Sequence, residues 1–187
     1  MVSLMSLLLP ILVAAVVVFL ASALVHMLLP FHKNDYRKIP REDEFLEAVR
    51  RFDLPAGDYV APHAEGPAAM KDPAFLEKRA KGPTIVMAFK PGAPPSMGAH
   101  LTKWFIYCVV VSMFAAYIAS RTLPAGTEYM QVFRIVGTTA FMGYSLALAQ
   151  TSIWYMKNGG ATFRSMIDGL AYALLTGGVF GWMWPGA

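Results

Sequence analysis

Four histidines, His26, His32, His63 and His100, and one cysteine, Cys108, are the side chains of this chain best suited to ligate a metal or act as a nucleophile. A single cysteine excludes an intrachain disulfide, and with it zinc-ribbon, Cys-x-x-Cys redox and iron–sulfur chemistry. His26, His32 and His100 border hydrophobic runs and could converge at a membrane surface, where the 12 methionines would suit copper or zinc. His26 and His32, however, stand six positions apart across Pro30, which is no recognised ligand spacing, and no carboxylate or thiol motif accompanies them. The expectation is therefore that no metal is bound and that these histidines hydrogen-bond to backbone or lipid headgroups. None lies inside the last three hydrophobic runs, which excludes a bis-histidine haem there and leaves a histidine-ligated chlorophyll unsupported.

Other chemistries are equally sparse. No Gly-x-Ser-x-Gly or Ser-x-x-Lys motif presents a serine nucleophile, and the clustered carboxylates from Glu42 to Glu47 read as a solvated helix face. Neither Gly-x-Gly-x-x-Gly nor a Walker loop occurs, so no nucleotide is expected. Between Lys33 and Lys103 stand 12 basic and 10 acidic residues, a balance that argues against nucleic acid. The net charge of +4 is better assigned to anionic lipid headgroups.

The polar side chains that do fall within apolar stretches are Arg134, Gln150 and Asp168. Gln150 needs an interhelical partner if it lies in hydrocarbon, and Asp168, one turn after Arg164, is expected to form an i,i+4 pair with it rather than a proton relay.

The elements that must position these residues follow from composition. Of 187 residues 56% are hydrophobic and only 15% charged, with a mean hydropathy of +0.46, which excludes an ordinary soluble domain. Four runs reach the roughly 20 residues needed to cross a bilayer as a helix: Leu4 to Leu29, Leu101 to Ser120, Gln131 to Tyr155 and Met166 to Trp184. Ala21, Ser22 and Ala23 resemble a signal-peptidase site, but the basic n-region is missing and apolar residues continue to Leu29, so a retained anchor is expected, kinked modestly at Pro10.

Four spans place both termini on one side and the block from about Pro30 to His100 on the other. With the Lys157 to Arg164 loop and Lys103 on that same second side, it holds 14 of the 16 basic residues, with only Arg121 and Arg134 opposite, so residues 31–100 are expected in the cytoplasm and the termini outside a bacterial-type inner membrane. Trp104, Tyr107, Trp154 and Tyr155 would form one interfacial belt, and Tyr129, Trp182 and Trp184 the other.

Small residues recur every four positions in three runs: Cys108, Ser112, Ala116 and Ser120; Thr139, Gly143, Ala147 and Thr151; Ser165, Gly169, Ala173, Gly177 and Gly181. This spacing lets helix backbones approach closely in lipid and predicts a packed three-helix bundle, with the Val- and Leu-rich first helix at its periphery or against a different protein. Between the first two runs, Arg41 to Phe52 and Asp72 to Lys81 carry helix signals, and Asp58 to Ala61 and Thr84 to Lys90 carry strand signals.

The sequence thus predicts an integral membrane all-α bundle of four transmembrane helices with a small α/β cytoplasmic insertion. Its parts are an N-terminal anchor (1–30), a lobe with a Pro-rich connector (31–100) and a three-helix bundle (101–187). So small a lobe must lean on the membrane or another subunit. The expected role is a non-catalytic accessory or scaffold subunit of a larger membrane complex, with lipid bound and other membrane subunits, or a second copy, as partners. The alternative is a small homo-oligomeric transporter or channel using Gln150, Asp168, Arg134 and the Gly177–Gly178 pair.

Overall fold

The computed structural model describes residues 2–93 and 96–186, and the chain divides into two compact units, Met1–Arg37 with Ser96–Ala187, and Lys38–Pro95. The first unit is helical. Its helices are α1 (Leu8–Leu28), followed after the second unit by α4 (Met97–Thr122), α5 (Tyr129–Tyr144), α6 (Ala149–Tyr155) and α7 (Gly159–Trp182). The second unit holds α2 (Glu42–Arg50), β1 (Gly57–Ala61), α3 (Pro73–Lys81) and β2 (Ile85–Phe89).

Local sequence sets the helix ends. Ser96 caps α4 by accepting from Ala99 N at 3.3 Å, and Asn158 caps α7 by accepting from Ala161 N at 3.1 Å. A 3-10 turn at Leu4–Leu7 precedes α1, so Pro10 falls in the first helical turn. Its missing N–H costs little there, and the expected cause of a mid-helix kink is removed.

The four long helices form a closed ring in which each packs on two neighbours: α1 on α4 and α7, and α5 on α4 and α7. α1 is therefore not peripheral. It buries Ile11, Ala14, Ala15, Val18 and Ser22, a packing stripe that its Val-rich composition hides. The tightest contacts lie between α5 and α7. A Cβ at Gly177 would stand 2.9 Å from the Phe133 carbonyl oxygen, and one at Gly169 would stand 2.8 Å from that of Tyr144. Glycine is required at both places because backbone, which cannot rotate away, is the neighbour.

The core mixes large apolar side chains, Leu7, Val18, Val132, Val136 and Phe180, with many small ones. Cys108, Ser112, Ala116, Ala173 and Thr176 are fully enclosed, while Leu20, Leu24, Phe114, Ile118 and Leu174 are exposed. Small residues at the helix contacts and large apolar ones on the outer surface suit a lipid environment. Three helical segments, Leu4–Leu28, Met97–Thr122 and Tyr129–Tyr155, are long and apolar enough to cross a membrane, which supports a multi-pass transmembrane protein. α7, at 24 residues, is about 36 Å long, but Asp168 and its glycines dilute its apolarity and it is not one of the three.

The third predicted helix is interrupted. α5 stops at Tyr144, Ser145 leaves helical geometry at φ −126° and ψ −56°, and a 3-10 turn at Leu146–Leu148 leads into α6. Ser145 is buried, and its hydroxyl donates to the Met166 carbonyl of α7 at 2.9 Å. Contact with α7 at Gly169 and Met166 thus offsets the lost α-helical bonds.

In the second unit, β1 and β2 pair antiparallel with Tyr59 opposite Met87 and Val60 opposite Val86. Asp72 caps α3 by accepting from Ala74 N at 2.8 Å, Pro73 occupies the first position, and Gly82 at φ 61° ends the helix in a backbone conformation that glycine favours. These elements lie where the sequence signals put them. Among its described residues the unit buries none. Phe45, Leu46, Phe52, Val60, Met70, Leu76, Ile85 and Val86 are all exposed.

Candidate functional site

Pro30 ends α1. Leu29, restricted by the following proline, is extended at φ −94° and ψ 136°, and Pro30–His32 then form a 3-10 turn. The turn continues through Asp35 N to His32 O at 3.0 Å, which brings the two side chains together. His32 Nδ1 and Asp35 Oδ2 are hydrogen-bonded at 2.7 Å.

α7 supplies the other half of the cluster. The Arg164 guanidinium donates to Asp35 Oδ1 through Nε at 2.8 Å and through a terminal nitrogen as well. This fork fixes Asp35 in place. The His32 hydrogen bond above all holds the Asp35 carboxyl below the usual carboxylate range, against the opposing effect of burial and with help from the Arg164 hydrogen bond and charge. One turn along α7, Asp168 Oδ2 lies 2.7 Å from His32 Nε2, with only 8% of the Asp168 side chain exposed. It lies off the ring N–H direction, so this contact is not a hydrogen bond and Nε2 is buried without an in-line partner.

His26, in the last turn of α1, stacks on His32 with ring centroids 4.5 Å apart and planes at 22°. One donor atom from each of His26, His32 and Asp168 lies within 4.8 Å of the other two. His26 is exposed, His32 half-buried and Asp168 buried, so the set opens to solvent on the His26 side. Two carboxylates, Asp35 and Asp168, face one fixed cation, Arg164.

Deeper in the same unit, Trp104, Tyr107, Tyr144 and Tyr172 form an aromatic group with centroid separations of 5.6 to 6.2 Å. Trp104 Nε1 donates to Ser22 Oγ at 2.8 Å, and the Tyr107 hydroxyl donates to the Gly143 carbonyl at 2.6 Å. The Tyr172 hydroxyl and Ser112 Oγ are buried without hydrogen-bond partners.

Several sequence expectations change here. Asp168 does not pair with Arg164: Arg164 turns to Asp35, and Asp168 meets His32. His100 is exposed in the first turn of α4 and contributes no donor to the cluster; the third donor is Asp168. Gln150 and Arg134 are exposed, on α6 and α5. The 3-10 turn advances the chain by about 60° over three residues relative to an α-helix, which rotates the face carrying Ala147 and Gln150. Ala147 is accordingly exposed, and so is Gly143, although Val111 crowds its Cα; α5 packs through Val132, Val136, Gly137 and Ala140 instead.

In the other two stripes Cys108, Ser112, Ala116, Gly169, Ala173, Gly177 and Gly181 are buried. The aromatic belts also change, because Trp104 bonds inward to Ser22, and buried Trp184 donates to the Pro124 carbonyl at 2.9 Å. The signal for the cluster was in the sequence, as an acidic residue inside an apolar run and a histidine three positions before an aspartate. Pairing those two signals required the ring order of the helices.

No protein-family model, no curated protein and no solved structure matches the chain.

Proposed function

We propose that the chain is a four-span protein of a bacterial-type inner membrane that serves as a non-catalytic accessory or scaffold subunit, with residues 31–100 cytoplasmic and both termini outside. The observation that carries this reading is the coreless second unit. A two-stranded hairpin and two nine-residue helices with no buried side chain cannot offset the conformational entropy of their own ordering. Phe45, Leu46, Val49 and Phe52 recur at helical spacing on and just after α2, beside its acidic first turn. Covering such side chains contributes roughly 1.5–3 kcal/mol each, enough for a partner subunit to stabilise the unit.

The transporter reading loses ground because Gln150 and Arg134, two of its three polar residues, face outward. Lipid is the expected neighbour of the exposed Leu and Phe side chains around the helices.

Purification of the tagged chain from its native membranes in mild detergent tests this proposal. One further membrane polypeptide should copurify in fixed ratio and be lost from the double variant Phe45→Ser, Phe52→Ser. A lone monomer whose Lys38–Pro95 unit resists protease would overturn it.

A further inference from the structure

We infer that His26, His32 and Asp168 bind a divalent transition-metal ion of the zinc or iron(II) class, with Asp35 and Arg164 as the outer groups that orient the site. Two imidazoles and one carboxylate are a donor set suited to these ions, and three protein ligands leave a further position for water or an exchangeable ligand.

The second layer of contacts favours a metal over a simple ion pair. His32 Nδ1 is engaged by Asp35 at 2.7 Å, and Asp35 is itself clamped by Arg164. A carboxylate on the far nitrogen of a ligating imidazole fixes its tautomer and raises its basicity. With the proton on Nδ1, Nε2 presents a lone pair. Nε2 itself stands 2.7 Å from a carboxylate oxygen that lies to the side of the lone-pair axis, which leaves that axis open for an ion. Two acceptors so close in a largely buried place repel one another, and a cation bound to both removes the repulsion.

An ion with bonds of about 2.0–2.1 Å can hold two donors no more than about 4.2 Å apart. The donors here span up to 4.8 Å, and exposed His26 is the ligand able to close that gap, by leaving its stack on His32 and rotating inward. Its exposure also gives the ion a path from solution. This inference concerns the helical unit alone and stands whether or not the chain is an accessory subunit.

The test uses the purified full-length chain in detergent, stripped with a chelator and titrated with Zn²⁺, and with Co²⁺ as a spectroscopic probe. The expected result is one ion per chain, with the Co²⁺ form showing visible absorption of a four- or five-coordinate site. His26→Gln should weaken binding at least tenfold without disturbing the fold, since its side chain is exposed. Asp168→Asn should abolish binding, Asp35→Asn should weaken it about 10–100-fold, and His100→Gln should leave it unchanged. Less than half an ion per chain in the wild type, or unchanged affinity in His26→Gln, would overturn the assignment.

Discussion

Asp168 Oδ2 lies 2.7 Å from His32 Nε2, joining the connector that leaves α1 to the first half of α7. One turn away Arg164 grips Asp35, so α7 holds that connector through the Arg164–Asp35 pair and lays Asp168 beside His32.

Breaking the clamp should loosen the connector. Arg164→Gln removes charge-assisted hydrogen bonds of about 1.5–3 kcal/mol, discounted because the Arg164 side chain remains 27% exposed. The expected drop in melting temperature is about 3–6 °C. Asp35→Asn in the same background should add little, because both changes break the same contact. Thermal unfolding of the single and double variants in detergent checks this, and full additivity would show that the two groups act separately.

The glycines of α7 should differ sharply over one position. Gly177→Ala places a methyl 2.9 Å from the Phe133 carbonyl oxygen and should cost about 1–3 kcal/mol by forcing α5 and α7 apart. Gly178→Ala meets only the Tyr129 hydroxyl, at 3.5 Å, and should be neutral or slightly stabilising. Equal melting points for the two variants would contradict the close approach.

These contrasts mark what the sequence makes legible. Caps and breakers are local, so Asp72, Pro73 and Gly82 placed α3, and β-branched and aromatic enrichment placed β2. Small residues at fourfold spacing likewise found the buried faces of α4 and α7. The break at Ser145 is not local: it depends on a hydroxyl bond to Met166 and on space left by Gly169, both on α7. The inward turn of Ala14, Ala15 and Ser22 is hidden for the same reason, since a helix apolar all round does not reveal which side its neighbours occupy. The polar cluster joins residues near position 30 to residues near 165, a pairing that only the packing of α1 on α7 creates.

Trp104 reports on that packing directly. Its indole N–H donates to Ser22 Oγ at 2.8 Å, across the α1–α4 contact. Ser22→Ala should cost about 1 kcal/mol and shift the tryptophan emission. Trp104→Phe in the Ser22→Ala background should then show a coupling of about 0.5–1.5 kcal/mol, and zero coupling would mean the bond is not made in the membrane.

The threading is checked by labelling. In a Cys108→Ser background, Glu77→Cys on exposed α3 should react with an impermeant thiol reagent only after the cytoplasmic face is opened, whereas Ser3→Cys, before α1, should react from outside. Reaction of Glu77→Cys in intact cells would reverse the proposed orientation.

Hydrogen exchange over Lys38–Pro95, compared between the purified chain and native membranes, reaches the central claim most directly. A unit that buries none of its described residues should exchange the amides of α2 and the β1–β2 hairpin within minutes when purified alone, and be protected at least a hundredfold in native membranes if the proposed partner covers it. Strong protection in the isolated monomer would mean that the unit stands by itself, and would contradict the proposed docking role.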